Sequence, residues 1–157
     1  MTESQRTFDW ALSTLVKPEL AELGFIFNGR RDFIYAFDDG AVWTINFQPG
    51  LHNLQGKFTV NLSVLELGAQ SPVTQRLGAV RANSYTRLVC RLFSSPRSFW
   101  RSLLSPGDVW WRMSPLEFEA RATFESVIGL LRKDGIAWFE ARTEGADAST
   151  GKSGLSG

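Results

Sequence analysis

Uncharged amide and hydroxyl side chains mark two segments in which apolar and polar residues alternate. Asn46 and Gln48 lie in the first segment, and Asn61 lies in the second. Alternate residues of a strand share a face, so three hydroxyl residues accompany the amides: Thr44, Thr59 and Ser63. Amides both donate and accept hydrogen bonds, which predicts a ligand-binding face. An ordinary solvated face, or a face bonded to a covering loop, would show the same pattern.

Arginines form a second candidate group. Residues 67–107 contain six arginines and no acidic residue, although the formal net charge of the whole 157-residue chain is only +1. The six are Arg76, Arg81, Arg87, Arg91, Arg97 and Arg101. Guanidinium groups bind phosphates and carboxylates through two parallel hydrogen bonds. We select Arg87 and Arg91 as candidate ligand-binding residues because they share one face of a strand predicted over residues 85–93.

Two adjacent tryptophans, Trp110 and Trp111, follow the arginine-rich block. Neighbouring side chains of an extended chain point to opposite sides, so we expect one tryptophan in the core and the other exposed or half-covered. An exposed tryptophan beside arginines would suit binding. The alternative is that both tryptophans mainly pack in the core.

Nucleic acid is a poor match for this composition. The chain has four lysines and thirteen arginines, and its isoelectric point is near 7.9. A nucleic-acid-binding domain usually presents a strongly basic surface, so we do not expect nucleic acid as the partner. The arginine-rich block can equally pair with the acidic segments on either side of it.

Few residues are candidates for catalysis. His52 is the only histidine, and no nucleophile motif such as Gly-x-Ser-x-Gly accompanies it. Cys90, the only cysteine, lies in the apolar stripe of a predicted strand, while Asp38 and Asp39 precede a turn glycine. One cysteine and one histidine are too few for a zinc site, so we expect no metal and no cofactor.

The apolar residues at the start of the chain recur with the period of a helix. Those that follow recur at every second position, as in a strand. A helix is expected to start at an N-cap on Ser4 and to end or kink before Pro18. Its apolar stripe is Phe8, Leu12, Leu15 and Val16. Strands are predicted over residues 31–37, 41–48 and 57–65, where apolar residues recur at every second position.

The turn Asp38-Asp39-Gly40 predicts a hairpin between the first two of these strands. A loop of three residues places six large apolar side chains on one face: Phe33, Tyr35, Phe37, Trp43, Ile45 and Phe47. A two-residue loop would set the aromatic residues beside the polar ones instead. We favour the three-residue loop because it buries the large side chains together.

A second helical region follows the tryptophans. Residues 67–83 are predicted to form a loop, and a helix is expected after an N-cap at Ser114, with Glu117 completing a capping box. The apolar stripe of this helix is Leu116, Ala120, Phe124, Val127, Ile128 and Leu131. Gly135 is expected to separate it from a shorter helix over residues 136–142.

Helices at both ends with strands between them predict an α+β fold. We expect an antiparallel sheet of about four strands, with the N-terminal and C-terminal helices packed on one face. Residues 1–142 form a single domain in this interpretation, and residues 143–157 form a flexible tail of linker composition. The chain has no apolar stretch that could span a bilayer, no secretory signal and only one cysteine, so we expect a cytoplasmic protein without membrane contact.

Gly-Phe at residues 24–25, Ile-Asn-Phe-Gln at 45–48 and Phe-Thr-Val-Asn-Leu at 58–62 form a recognisable set of motifs. Together with the arginine-containing strand near Cys90 and the tryptophan pair, they resemble the bacterial family known as domain of unknown function 4304. The likeness covers roughly residues 5–140. The resemblance implies an α+β fold, and it implies no catalytic residue because the family has no established activity.

These observations favour a non-catalytic binding module for a protein or an anionic ligand. An immunity-type or accessory protein is one example of this class, by analogy only. The hypothesis requires Arg87, Arg91 and one of the tryptophans to line a shared surface. The alternative is a small enzyme that acts on a phosphate- or carboxylate-bearing substrate, with arginines as clamps and His52 or an aspartate as the base.

Overall fold

Helices flank the strands in the computed structural model, which describes residues 1–66, 68–77 and 110–150. The N-terminal helical segments are α1 (Glu3–Ala11), a π-helical turn (Leu12–Val16) and α2 (Lys17–Glu22). The strands are β1 (Ile26–Phe27), β2 (Asp32–Ala36), β3 (Val42–Pro49), β4 (Lys57–Leu65), β5 (Val73–Arg76) and β6 (Trp111–Arg112). The C-terminal helical segments are α3 (Glu117–Leu130), a second π-helical turn (Leu131–Gly135) and α4 (Ile136–Thr150).

The described strands form one antiparallel sheet in the order β1-β2-β3-β4-β5, and β6 also pairs with β4. Because β3 pairs along one edge of β4, strands β5 and β6 lie end to end along the other edge, opposite residues 61–64 and 57–58. The predicted α+β fold is confirmed, but about four strands is too low a number. β1 and β6 are too short to show a period of two, and β5 lies in the predicted loop over residues 67–83. The predicted strand over residues 85–93 lies outside the described residues.

The hairpin between β2 and β3 has the predicted three-residue loop. Phe33 pairs with Ile45, and the Phe37 N–H donates to the Ala41 carbonyl at 2.9 Å. Gly40 in the loop has a φ of 92°, a conformation that glycine adopts without steric cost. Phe33 and Ile45 are fully buried on the helix-covered face, so the register that the large apolar residues predict is confirmed.

The core lies between the helices and one face of the sheet. The Phe8 ring of α1 lies 5.2 Å from the Phe58 ring of β4 and 5.7 Å from the Phe124 ring of α3, measured between centroids. All three side chains are buried. Burial of each contributes about 1.5–3 kcal/mol relative to exposure, so these contacts bind the helical layer to the sheet.

The N-terminal helix begins earlier than predicted. Thr2 rather than Ser4 is the N-cap, because its Oγ1 accepts the Gln5 N–H at 3.2 Å and the Gln5 side chain accepts the Thr2 N–H at 3.3 Å. Pro18 does not end the helix. It lies in the first turn of α2, directly after the π-helical turn, where a residue without an N–H is tolerated. The helical segments end before Gly24.

Helix α3 begins at Glu117, later than predicted. Ser114 still binds this end of the helix, since its Oγ accepts the Leu116 N–H at 3.1 Å and donates to Glu119 at 2.6 Å. The capping box predicted with Glu117 is therefore wrong. Leu116 is 49% exposed, so it does not belong to the apolar stripe whose later members are buried.

Gly135 joins α3 to α4 instead of separating them. A Cβ at this buried position would lie 3.3 Å from the Leu131 side chain, so glycine permits close packing within a continuous helical region. Helix α4 continues to Thr150, beyond the predicted end of the shorter helix. Residues 151–157 lie outside the described residues, and the flexibility of the tail stays a prediction.

Arg132 connects the two helical regions. Its guanidinium donates to Glu19 at 2.6 Å and to Glu22 at 2.8 Å, both in α2. Hydrogen bonds to Glu22 and then Glu19 raise the pKa of Arg132, so this guanidinium stays charged throughout the working pH range. In the part of the chain that the structure describes, no helix has both the length and the apolar character to cross a membrane.

Candidate functional site: the polar face of the sheet

A row of polar side chains crosses four strands on the sheet face opposite the helices. Asp32 of β2 pairs with Asn46 of β3, Asn46 pairs with Asn61 of β4, and Asn61 pairs with Arg76 of β5. Paired residues of neighbouring antiparallel strands point to the same face, with Cβ atoms about 5 Å apart. We call these four residues the polar row.

Side-chain hydrogen bonds run along the polar row from Asn61 through Asn46 to Asp32. Asn61 Nδ2 donates to Asn46 Oδ1 at 3.3 Å and to Gln48 Oε1 at 2.9 Å. Asn46 Nδ2 donates to Asp32 Oδ1 at 2.5 Å, and Asn28 Nδ2 donates to Asp32 Oδ2 at 2.7 Å. Each carboxylate oxygen of Asp32 therefore accepts from one amide. A neighbour sets the orientation of each linked amide, which makes Asp32, Asn46 and Asn61 a connected network.

Uncharged polar residues flank the row on both sides. Thr44 pairs with Ser63, and the Ser63 and Thr74 hydroxyl oxygens lie 2.9 Å apart in a hydrogen bond. On the other side, the exposed Gln48 pairs with Thr59, whose side chain is fully buried. The polar face therefore spans at least three successive rows of paired residues.

Arg76 ends the polar row beside Trp110. The guanidinium carbon lies 5.2 Å from the indole centroid, and both side chains are half-buried. Trp111 pairs with Phe58, and one further step in that register brings Trp110 beside Thr59 on the polar face. The Trp111 ring lies on the core side, 5.7 Å from the Phe58 ring. The tryptophans thus point to opposite sides, as expected for an extended chain, but neither is fully buried.

The structure brings together the three amide candidates that the sequence suggests, and it places Trp110 at one end of their face. Trp111 lies on the other face of the sheet and packs against the core. Arg87 and Arg91 lie outside the described residues. A surface that they share with a tryptophan therefore stays a prediction.

Asp32 and Asn28 were not among the predicted site residues. A signal for Asp32 existed, because the three-residue hairpin loop already sets it opposite Asn46. The sequence groups Arg76 with the other arginines and not with the amides. Its place in the row depends on β5, and the polar sequence of that segment shows no strand pattern.

His52 and Asp39, which were considered for catalysis, lie away from the polar row. His52 is exposed in the loop between β3 and β4, with a φ of 52°, and its imidazole has no hydrogen-bond or ion-pair partner among the described residues. Asp39 Oδ1 accepts the Ala41 N–H at 2.8 Å, a bond that stabilises the turn. Cys90 lies outside the described residues. Within the described ranges, no three His, Cys, Asp or Glu residues are grouped as metal ligands would be.

A family model described as a domain of unknown function, DUF4304, matches residues 16–141, well over half of the chain. The chain belongs to the DUF4304 family. The DUF4304 match contains the whole polar row, and it begins at the end of the first π-helical turn, so α1 precedes it. The resemblance seen in the short motifs is thereby confirmed, although the match starts later than residue 5. Comparisons with curated proteins and with solved structures gave no match.

Proposed function

We propose that this chain is a non-catalytic binding module that recognises a protein or an anionic ligand through the polar face of its sheet. The polar row carries the proposal, because four adjacent strands each contribute one hydrogen-bonding side chain and the linked amides already hold their orientations. Groups held in this way lose little side-chain freedom when a partner binds.

Charge at the two ends of the row favours a protein surface over a small anion. Asp32 stands at one end and Arg76 at the other, separated by three strand spacings, or about 14 Å. A partner with a basic group and an acidic group at that separation would match both ends. Arginine and tryptophan are frequent in the energetic centres of interfaces, so Arg76 and Trp110 are the expected anchor for the acidic group.

The alternative of an enzyme acting on a phosphate- or carboxylate-bearing substrate has less support. It requires a base beside the arginines, and the exposed His52 has no partner that would orient it among the described residues. Asp32 is the acid on the polar face, and both of its carboxylate oxygens accept amide hydrogen bonds. Those bonds suit a structural or recognition role.

We also propose that the module acts in the bacterial cytoplasm and does not bind nucleic acid. The family resemblance suggests the bacterial origin, and a single cysteine suits a reducing compartment. An immunity-type or accessory protein would fit this description. A gel-shift assay at low salt tests the nucleic-acid part, since a retarded band that disappears as salt rises would contradict it.

The decisive experiment is affinity capture of partners with the tagged full chain from an extract of the native cell. A double variant, Asn61→Thr with Arg76→Gln, removes the central amide and the cationic end of the row while keeping residues that suit strands. We expect partners captured by the wild-type chain to be depleted roughly tenfold or more with this variant, because hydrogen bonds to a charged group are among the strong ones.

Lys133→Gln is the matched control, because Lys133 is an exposed cation on the helical layer. This variant should capture the wild-type partners, and circular dichroism should show that all three proteins are folded. Capture of the same partners at the same level by the double variant would overturn the proposal. Failure of the wild-type chain to enrich any partner over the tag alone would also count against it.

A further inference from the structure

A cleft lies on the helix side of the sheet, on the face opposite the polar row. It has a volume of about 420 Å³ and opens between α1 and the connection from β1 to β2. The residues that line it are Asp9, Phe27, Gly29, Arg30 and Arg31. The Phe27 ring stacks on the buried Phe33 ring at a centroid distance of 4.7 Å, so one wall of the cleft is continuous with the core.

The backbone of the two arginines is held in place by Asn28. Asn28 Oδ1 accepts the N–H groups of Arg30 at 2.9 Å, Arg31 at 3.2 Å and Asp32 at 3.1 Å. The Asn28 N–H donates to the Asp32 carbonyl at 2.9 Å, and the Arg31 carbonyl accepts the Phe47 N–H at 2.9 Å. The two guanidinium groups therefore extend from an ordered connection.

No described residue neutralises either guanidinium. Among the described residues, Arg30 and Arg31 have no ion pair and no side-chain hydrogen bond. The guanidinium carbon of Arg31 lies 5.8 Å from the Phe8 centroid, and this cation–π contact uses none of its N–H donors. Two cations beside one cleft with unused donors are an arrangement suited to an anion.

The lining limits the size and charge of that anion. A volume of about 420 Å³ is in the range of small-molecule sites. Phe27 offers an apolar wall. Gly29 has a φ of 82°, and no atom lies within 4 Å of the position that a Cβ would occupy there, so open space lies beside this wall. The Asp9 carboxylate disfavours a ligand with several negative charges.

We propose that this cleft binds a small molecule that has a single oxyanion group, a carboxylate or a phosphate, attached to an apolar body. The oxyanion binds Arg30 and Arg31, and the apolar body packs against Phe27. The cleft lies on the other side of the sheet from the polar row, so this proposal does not rest on the function proposed for that row, although Asn28 bonds both to Asp32 and to the backbone of Arg30 and Arg31.

The test is a titration of the isotope-labelled full chain, followed through the Gly29 and Arg30 amide resonances and the arginine Nε–H resonances. Benzoate and inorganic phosphate are the probes, with chloride at equal ionic strength as the reference. We expect saturable shifts confined to this connection. Saturation by benzoate or by phosphate shows which oxyanion the site takes.

The variants distinguish specific binding in this cleft from a general attraction of anions to positively charged side chains. Arg30→Gln with Arg31→Gln should weaken binding roughly tenfold or more, while Arg121→Gln and the polar-row variant Asn61→Thr with Arg76→Gln should bind as the wild type does. Asp9→Asn should strengthen phosphate binding because it removes a like charge. Shifts that do not saturate, that chloride reproduces, or that persist in the double arginine variant would overturn the proposal.

Discussion

Gly24 illustrates how one residue ends a helix and fits a neighbouring ring. Its φ is 90°, its N–H donates to the Ala21 carbonyl, and the Phe25 N–H donates to the Leu20 carbonyl, each at 3.0 Å. This pair of bonds is the Schellman motif, which satisfies carbonyls that a helix end leaves without partners. A Cβ at Gly24 would lie only 2.6 Å from a ring carbon of Tyr35. Both the backbone and the packing therefore require glycine.

Gly24→Ala is expected to lower the free energy of unfolding by more than the backbone cost alone, which is about 1–3 kcal/mol for a non-glycine residue at positive φ. Gly29→Ala is the matched control. Gly29 also has a positive φ, 82°, but no atom lies within 4 Å of the position that a Cβ would occupy there. Urea unfolding of both variants measures the difference. Equal losses would show that the Tyr35 ring moves aside and adds nothing.

Trp43 helps to fix helix α4 to the sheet. The Trp43 ring of β3 stacks on the Phe139 ring at a centroid distance of 4.9 Å, and its Nε1 donates to Thr143 Oγ1 at 3.2 Å. The Thr143 hydroxyl in turn donates to the Phe139 carbonyl at 3.0 Å. The first residue of the predicted tail thus contributes to the docking of this helix.

Thr143→Val keeps the shape of the side chain and removes the acceptor of the Trp43 indole. The half-buried indole N–H would lose its partner, so we expect the free energy of unfolding to fall by about 1 kcal/mol. Thr143→Ser keeps the hydroxyl and should lose less than half as much. Urea unfolding followed by far-ultraviolet circular dichroism measures both. A loss for serine as large as that for valine would assign the effect to methyl packing.

The elements that could be predicted from the sequence are those long enough to repeat their pattern of apolar and polar residues several times. β4 alternates cleanly from Lys57 to Val64, and the hairpin register follows from the large side chains that it buries. Two-residue strands such as β1 have no period to detect, and β5 is held by pairing with β4 and not by its own pattern. Helix boundaries also differ, because Thr2 and Ser4 are chemically equivalent caps in sequence.

At the scale of the whole molecule, the polar row also contains residues that could be predicted from the sequence and a residue that could not. Asn46 and Asn61 could be predicted because each lies in a strongly alternating strand. The predicted hairpin register already sets Asp32 opposite Asn46, whereas Arg76 belongs to the row only through the pairing of β5, which brings it beside Asn61. The cleft at Arg30 and Arg31 depends on the packing of α1 against the sheet, which no local pattern contains.

Phe124 tests whether the two layers form one cooperative unit. Its ring contacts three aromatic rings of α1 and the sheet, with centroid distances of 5.7 Å to Phe8, 6.1 Å to Phe47 and 5.0 Å to Phe58. It therefore joins α3 both to the N-terminal helix and to two strands. Phe118 lies on the same helix and is 70% exposed, which makes it the matched control.

Phe124→Ala is expected to cost about 3–5 kcal/mol, a large share of the roughly 5–15 kcal/mol typical of a domain. Phe118→Ala should change the free energy of unfolding by no more than about 0.5 kcal/mol. If the layers unfold together, circular dichroism and tryptophan fluorescence will report the same, lowered urea midpoint for Phe124→Ala. Separate midpoints would contradict this, because they would mean that the helices detach while the strands remain paired. The polar face would then persist without its helical support.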